Sequence, residues 1–489
     1  MNLEQQTAKE FINGGLPRSA PEAQGVPSKA IADYIDALRK LKLNVHSLMV
    51  LRNGYVVAEG WWNPYKPEYP HEMASLSKSF TSTAIGIAVD KKMLTVEDKV
   101  VDYFSEYAAL ATDENWQNLQ VKHLLTMTNG HAAAADSGRG DSVDWAKSFF
   151  EQKFANRPGE VFCYDSIASY MLSRIVAKVT GMDMFEWLQL NLFTPLGITG
   201  VNSAKCPHGY SIGGWGMYLK TVDVAKLGLL YLQQGMWQGQ QLLSKEWVAQ
   251  ATAAQSDTPD GLGYGYQFWR SPHNAYNGNG MYGQFCLVVP DEQLIVAITA
   301  GSGDMHEIVN QVWPTLYAGL STAPLALDRL ACAALRRKLA RLGYLPCRNK
   351  IDKAELNQLL DGSGYSLAGD SLLQLKIIDF KLMADGVVVG FVGGVKRNEI
   401  IFGYGNWNKY DGHGGLQEFG EHDGIGTKVA ASAGWLTANE LRLSMQHYES
   451  FFLVDFTCKF AGDSITISGK TSISFPGSSF ELSGQLKVV

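Results

Sequence analysis

No run of 18 uninterrupted apolar residues occurs anywhere in this 489-residue chain, so no membrane span is expected from it. Cysteine is sparse. The six (Cys163, Cys206, Cys286, Cys332, Cys347 and Cys458) are scattered without a C-x-x-C pair, which argues against a disulfide framework and for reduced thiols. Charged residues make up only 18% of the chain, the net charge is −6 and no long basic stretch is present, so nucleic acid is not an expected partner. The opening "MNLEQQTAKEF" lacks the basic and apolar regions of a secretory signal. With the free thiols, this leads to the expectation of a cytoplasmic protein. No internal repeat or low-complexity tract stands out.

What is present describes an ordinary globular chain. Hydrophobic residues reach 46%, and the length suits two domains with ample core. Up to about residue 320, helical and strand signals alternate. "KAIADYIDALRKL" carries apolar residues at helical spacing, and "HSLMVLRNGYVVAEGWW" reads as two strands around the turn Asn53-Gly54. "QFCLVVP" and "QLIVAITAG" return to strand pattern near residue 283, so strands lie at both ends of this region with helices between. One sheet built from both ends and flanked by helices is the economical solution. The texture then changes. "APLALDRLACAALRRKLARLGYL" is a basic helical connector, and beyond it nearly every signal is strand, as in the alternating "LRLSMQHY". The expected division is 1–322, an α/β (α+β) domain, and 323–489, a β-rich barrel or sandwich with the connector at its start.

The stretch "ASLSKSFTSTAIGIAV" raises a chemical question, because a lysine sits at the front of a helix apolar enough to be central. Ser75 and Lys78 are three residues apart and share one helix face. An ammonium group held there is desolvated, which lowers its pKa and makes a neutral, proton-accepting amine available near pH 7. A base within reach of a serine hydroxyl is what nucleophilic catalysis needs, and a helix N-terminus turns the serine's own N–H toward a developing oxyanion. The bland reading is a serine cap and a lysine that reaches out to solvent. No other serine in the chain has lysine three residues later.

Around this box, over roughly residues 40–315, the sequence resembles the serine hydrolases related to class C β-lactamases. That superfamily includes D,D-peptidases, D-aminopeptidases, carboxylesterases and 6-aminohexanoate-dimer hydrolases. The likeness continues in order through "HLLTMTNG", "PGEVFCYDSIASYMLSRIVAKVTGM", "GGWGMYLKTVDVAKLGLLYLQQGMWQGQQLLSKEWV" and "GNGMYGQFCLVVPDEQLIVAITAG". It implies an antiparallel sheet flanked by helices plus a helical region, with the site between them. Carried onto this chain, the resemblance makes Ser75 the acylated nucleophile and Lys78 its proton partner. Tyr164 falls in the Tyr-x-Asn box as a proton shuttle, expected to have a pKa lowered by Lys78. Ser166 replaces the usual Asn there. The third box aligns as Gly278-Asn279-Gly280, with the N–H of Met281 as second oxyanion donor and Asn279 and Gly280 lining the substrate. Its usual cationic first position is missing, which favours the carboxylesterase and dimer-hydrolase branch over β-lactams and D-peptides. Trp215 is read either as a wall of the cleft or as core.

Other motifs are coincidences. "GYSIG" at Gly209–Gly213 lacks the strand and helix of a nucleophile elbow, "GNGMYG" is followed by a strand where a dinucleotide fingerprint needs a helix, and "SGKT" at Ser468 lies among strands. Asp411, His413, Glu418, Glu421, His422 and Asp423 gather in a glycine-rich segment, but their spacing matches no metal site, and a solvated acidic loop is the preferred reading. The expectation is therefore a serine hydrolase acting on a small-molecule ester or amide, with no cofactor or metal. A β-lactamase or D-amino-acid peptidase using the same site is the alternative. A catalytically silent binding protein on this fold is the second alternative. The β-rich domain is expected to border the cleft or to pack a homodimer.

Overall fold

The computed structural model describes residues 15–132, 144–351, 361–369, 375–393, 396–410, 428–473 and 478–486. Its first unit is built on a six-stranded antiparallel sheet. The order is Tyr55–Trp61, Val45–Arg52, Leu294–Ala300, Gln284–Val289, Tyr276–Gly280 and Trp269–Arg270. The chain thus returns after more than two hundred residues to pair Leu48 with Ile298 and Val50 with Val296. Asn53 (φ 53°) and Gly54 (φ 80°) form the tight turn of the first hairpin, where two left-handed residues match the strand twist.

Both faces of this sheet are covered, which explains why every residue of Val45–Arg52 is buried. Side chains alternate across the strand. Met49 and Leu51, with Cys286, Val288 and Ile295, enter the core shared with the helices Ser77–Asp90, Ser166–Thr180 and Thr221–Leu232. Leu48 and Val50, with Phe285, Leu287 and Val296, face the helix Ser28–Lys40 and the helical turns near residues 305–316. The basic segment forms the helix Arg329–Leu339 and joins this second core through Leu335 and Leu342.

Beyond it the strands close into a barrel. The ring runs 396–404, 386–393, 375–382, 364–368, 479–486, 464–471, 453–461, 440–447 and 429–437, and a parallel pairing of Gly403 with Ser432 and Tyr404 with Ala433 shuts it. Closure removes the exposed sheet edges that a sandwich would keep. Large side chains, among them Trp435, Phe380, Phe402, Phe456 and Phe460, fill the interior.

A buried polar chain joins the two units. The Nδ1–H of His71 donates to the Glu72 carbonyl (2.9 Å), so its Nε2 accepts from His46 Nδ1 (2.8 Å), and His46 Nε2 accepts from the Tyr65 hydroxyl (3.0 Å). Tyr65 in turn accepts a hydrogen bond from Gln446 of the barrel. Burial keeps both imidazoles neutral by lowering their pKa values, that of His71 to about 4.

Candidate active site

Ser75 lies in the 3₁₀ turn Ala74–Leu76 that leads into the helix Ser77–Asp90. One turn on, Lys78 is 2% exposed, and its Nζ donates to Ser75 Oγ (3.0 Å), Ser166 Oγ (3.0 Å) and the Gly214 carbonyl (2.7 Å). All three acceptors are uncharged. Desolvation therefore dominates and lowers the amine to about 7, against a smaller opposing pull from the Asp165 carboxylate. Two other hydroxyls of this helix hold a neighbouring loop in place. Thr81 Oγ1 donates to the Gly213 carbonyl (2.7 Å), and Ser77 Oγ accepts from Met217 N (3.2 Å), fixing the loop that offers Gly214.

Tyr164 presents its ring face to Lys78, with Nζ 4.8 Å from the centroid, and its hydroxyl faces Ser75. Here the sequence expectation is corrected. Burial raises the phenol to about 12, and the contact with Ser75 offsets this only in part. A lysine that itself titrates near 7 is not a permanent cation, so it does not stabilise a phenolate. Ser166 opens the helix Ser166–Thr180, capped by Asp165, whose Oδ1 accepts from Ile167 N (2.8 Å) and whose Oδ2 accepts from Asn129 (3.0 Å).

The strand Tyr276–Gly280 crosses in front of the Ser75 turn at a distance only glycine permits. A Cβ on Gly280 would stand 2.1 Å from the Met73 carbonyl, and one on Gly278 would stand 2.5 Å from Ser79 Oγ. If the chain is the serine hydrolase that the sequence resemblance implies, Gly280→Ala is expected to lower its turnover of an ester by on the order of 10²-fold, because the strand and the turn must part. A full-rate Gly280→Ala enzyme, assayed with a chromogenic ester, would show that this approach is unimportant. Met281 follows in the hairpin turn with its side chain 55% exposed. Asn279 is half-buried and, by strand alternation, on the opposite face from Gly278 and Gly280, so its side chain turns away from Ser79 and Leu76. Trp215 follows Gly214 and stacks on Trp145 (5.5 Å), partly buried against the main core.

The structure thus brings Ser75, Lys78, Tyr164 and Ser166 together and sets the Gly278–Met281 segment beside them. Sequence reasoning missed three contributors: the Gly214 carbonyl, the Asp165 carboxylate, and Trp269, which stacks on Tyr164 (5.8 Å). Asp165 was visible within "YDS"; a backbone carbonyl in a distant loop carries no side-chain signal. Ser211 of "GYSIG" is bonded to Asp183, and "SGKT" lies within a barrel strand. Among the described residues no group of three or more His, Cys, Asp or Glu is placed to hold a metal ion, and the 411–423 cluster lies outside those residues. No helix among them is long and apolar enough to cross a membrane.

An antiparallel sheet flanked by helices, with Lys78 buried beside the partly exposed Ser75, is the architecture of a β-lactamase-type fold. Residues 31–310 match the beta-lactamase family, and the chain belongs to it. Among curated relatives, a protein of Alkalihalophilus pseudofirmus is 24% identical over 237 residues, 43% of this chain and 65% of that one. A 6-aminohexanoate-dimer hydrolase of Paenarthrobacter ureafaciens is 25% identical over 279 residues, 51% of this chain and 71% of the other. The octameric penicillin-binding protein homologue from Pyrococcus abyssi, at 15% identity and TM-score 0.50, covers 94% of this chain and 99% of its own. That likeness shows a shared fold.

Proposed function

We propose that this chain is a serine hydrolase that cleaves an ester or amide bond of a small molecule through an acyl-enzyme on Ser75. One observation carries the reading: a buried amine lowered to about 7 stands 3.0 Å from a serine hydroxyl. Neutral Lys78 takes the Ser75 proton as Oγ bonds to the substrate carbonyl carbon. The N–H groups of Ser75 and Met281 receive the oxyanion, donors worth roughly 3–4 kcal/mol each in such sites. On collapse the bond to the leaving group breaks. Tyr164, a neutral phenol, gives that group its proton and is reprotonated from Lys78 by way of the site's hydroxyls. Water then attacks the acyl-enzyme by the reverse sequence, restoring Ser75.

The geometry also bears on the substrate. The space in front of Gly278 is filled by Ser79 Oγ and Leu76, so no lysine fits where β-lactam- and D-peptide-cleaving relatives carry their cation. An uncharged ester or amide is therefore favoured over a substrate with a carboxylate to be clamped. The 6-aminohexanoate-dimer hydrolase among the relatives, by its name, supports an amide as the bond cleaved. The test is reaction with a serine-directed phosphonate, followed by peptide mapping, beside turnover of p-nitrophenyl butyrate and nitrocefin. A single adduct on Ser75 with ester turnover well above nitrocefin turnover is expected. Dominant nitrocefin turnover would assign a β-lactam substrate, and absence of both adduct and turnover would assign a silent binding protein.

A further inference from the structure

Two residues other than glycine adopt left-handed backbone at the site, and they bracket it. Ala74 (φ 44°) immediately precedes Ser75, and Tyr282 (φ 66°) immediately follows Met281. Such conformations persist only where the surroundings enforce them. Ala74 directly precedes the Ser75 N–H and Tyr282 stands one residue beyond the Met281 N–H, so these conformations hold the shape of the turn and the hairpin that carry the two groups assigned above to the oxyanion. Both residues pack into one small apolar cluster, and its centre comes from the barrel. Ala74, Phe451 and Ile473 form the cluster, Tyr282 and Phe452 lie against it, and the Phe451 and Tyr282 rings are 4.8 Å apart.

The loop carrying Phe451 is itself held to the hydrolase unit on both sides. Glu72 N donates to the Glu449 carbonyl (2.8 Å), and Ser450 Oγ donates to Glu72 Oε2 (2.8 Å), just ahead of the Ser75 turn. On the other side the Phe451 carbonyl lies where a Cβ on Gly301 would stand 2.2 Å from it. Next to Gly301, Ser302 N donates to the Tyr282 carbonyl (2.9 Å). The loop therefore spans the gap between the nucleophile turn and the Met281 hairpin.

We propose that Phe451, a residue of the C-terminal barrel, is a positioning residue for acyl transfer, clamping the Ala74 and Tyr282 backbones so that the N–H groups of Ser75 and Met281 converge on one oxyanion. The inference rests on the hydrolase reading of the same site. It assigns the barrel a part in the chemistry without contact to the reacting atoms.

The experiment is steady-state kinetics of the full chain with p-nitrophenyl butyrate for wild type, Phe451→Ala, Phe451→Leu and Phe451→Tyr. Phe451→Ala is expected to lower kcat by roughly 10- to 100-fold with KM changed less than about threefold, as for a small misplacement of reacting groups. Phosphonate labelling should slow in parallel. The midpoint of the pH profile should stay where Lys78 sets it, and Phe451→Tyr should recover most of the rate because the ring remains. A folded Phe451→Ala enzyme with unchanged kcat overturns the proposal. So does one whose KM alone rises, which would make Phe451 a mere wall. Should Phe451→Ala not fold, Phe451→Leu decides on the same criteria. Wild-type turnover that survives Ser75→Ala would instead overturn the hydrolase reading, a result distinguishable from either outcome at Phe451.

Discussion

Ser75→Ala is expected to lower kcat for p-nitrophenyl butyrate by on the order of 10⁴-fold or more, to background, and to abolish phosphonate labelling. Removal of the nucleophile from an acyl-transfer site leaves only the contribution of binding and oxyanion stabilisation. Folding should be little affected, since Ser75 is only partly buried and its lost partners are the Tyr164 hydroxyl and the Lys78 amine, which keeps the Ser166 hydroxyl and the Gly214 carbonyl. The check is kcat and melting temperature measured on the same preparation. Equal turnover by wild type and variant would mean that another group carries the reaction.

The second large effect concerns Lys78. In the proposed mechanism its amine is the base only when neutral, and with a pKa lowered to about 7 the neutral fraction rises through that pH. kcat/KM should climb about tenfold per pH unit below that value and level off above it, because this ratio reports the free enzyme's base. Lys78→Arg keeps the charge but cannot release its proton, so a loss of roughly 10²–10⁴-fold with no rising limb is expected. A variant that retained the limb would assign it to another group.

The same shift has a consequence for stability, with a definite sign. The folded pKa of Lys78 lies below its ordinary 10.5, so between about 7 and 10.5 the unfolded chain binds more protons than the folded one. Stability from this source therefore rises with pH across that window and is least below 7, where the native state must hold a buried ammonium. Lys78→Met has no such dependence. The difference in denaturation midpoint, variant minus wild type, should fall as pH is raised from 7 to 10. The variant also loses the bonds to Ser166 and Gly214, so the slope of the difference, not its absolute size, is the diagnostic. A flat difference would mean that Lys78 titrates normally in the folded protein.

Much of the site was legible because its first elements are local. Ser75 and Lys78 are three residues apart, a spacing that by itself puts them on one face, and the structure brings the amine to 3.0 Å from the hydroxyl. The turn at Asn53-Gly54 and the two-ended sheet were equally readable from period and turn residues. The Gly278-Asn279-Gly280 box was recognised by resemblance, but its physical reason, a Cβ 2.1 Å from the Met73 carbonyl, exists only once the strand crosses the turn. The direction of the Tyr164 shift was misread for a related reason. A neighbouring lysine is visible in the motif order, but the burial that outweighs it is not.

By itself, then, the sequence determined which residue types are available for acyl transfer, that the helix bearing them is too apolar to lie at the surface, and that a strand-rich unit follows. Only the tertiary structure decided the rest. Lys78 acquires its third acceptor from Gly214, 136 residues away, and backbone carbonyls carry no sequence signature. Whether the strands form a sandwich or a barrel turns on the two closing pairs Gly403–Ser432 and Tyr404–Ala433. And that Phe451 meets Tyr282 at the mouth of the site depends on how two units dock, a matter of surface complementarity that no local pattern encodes.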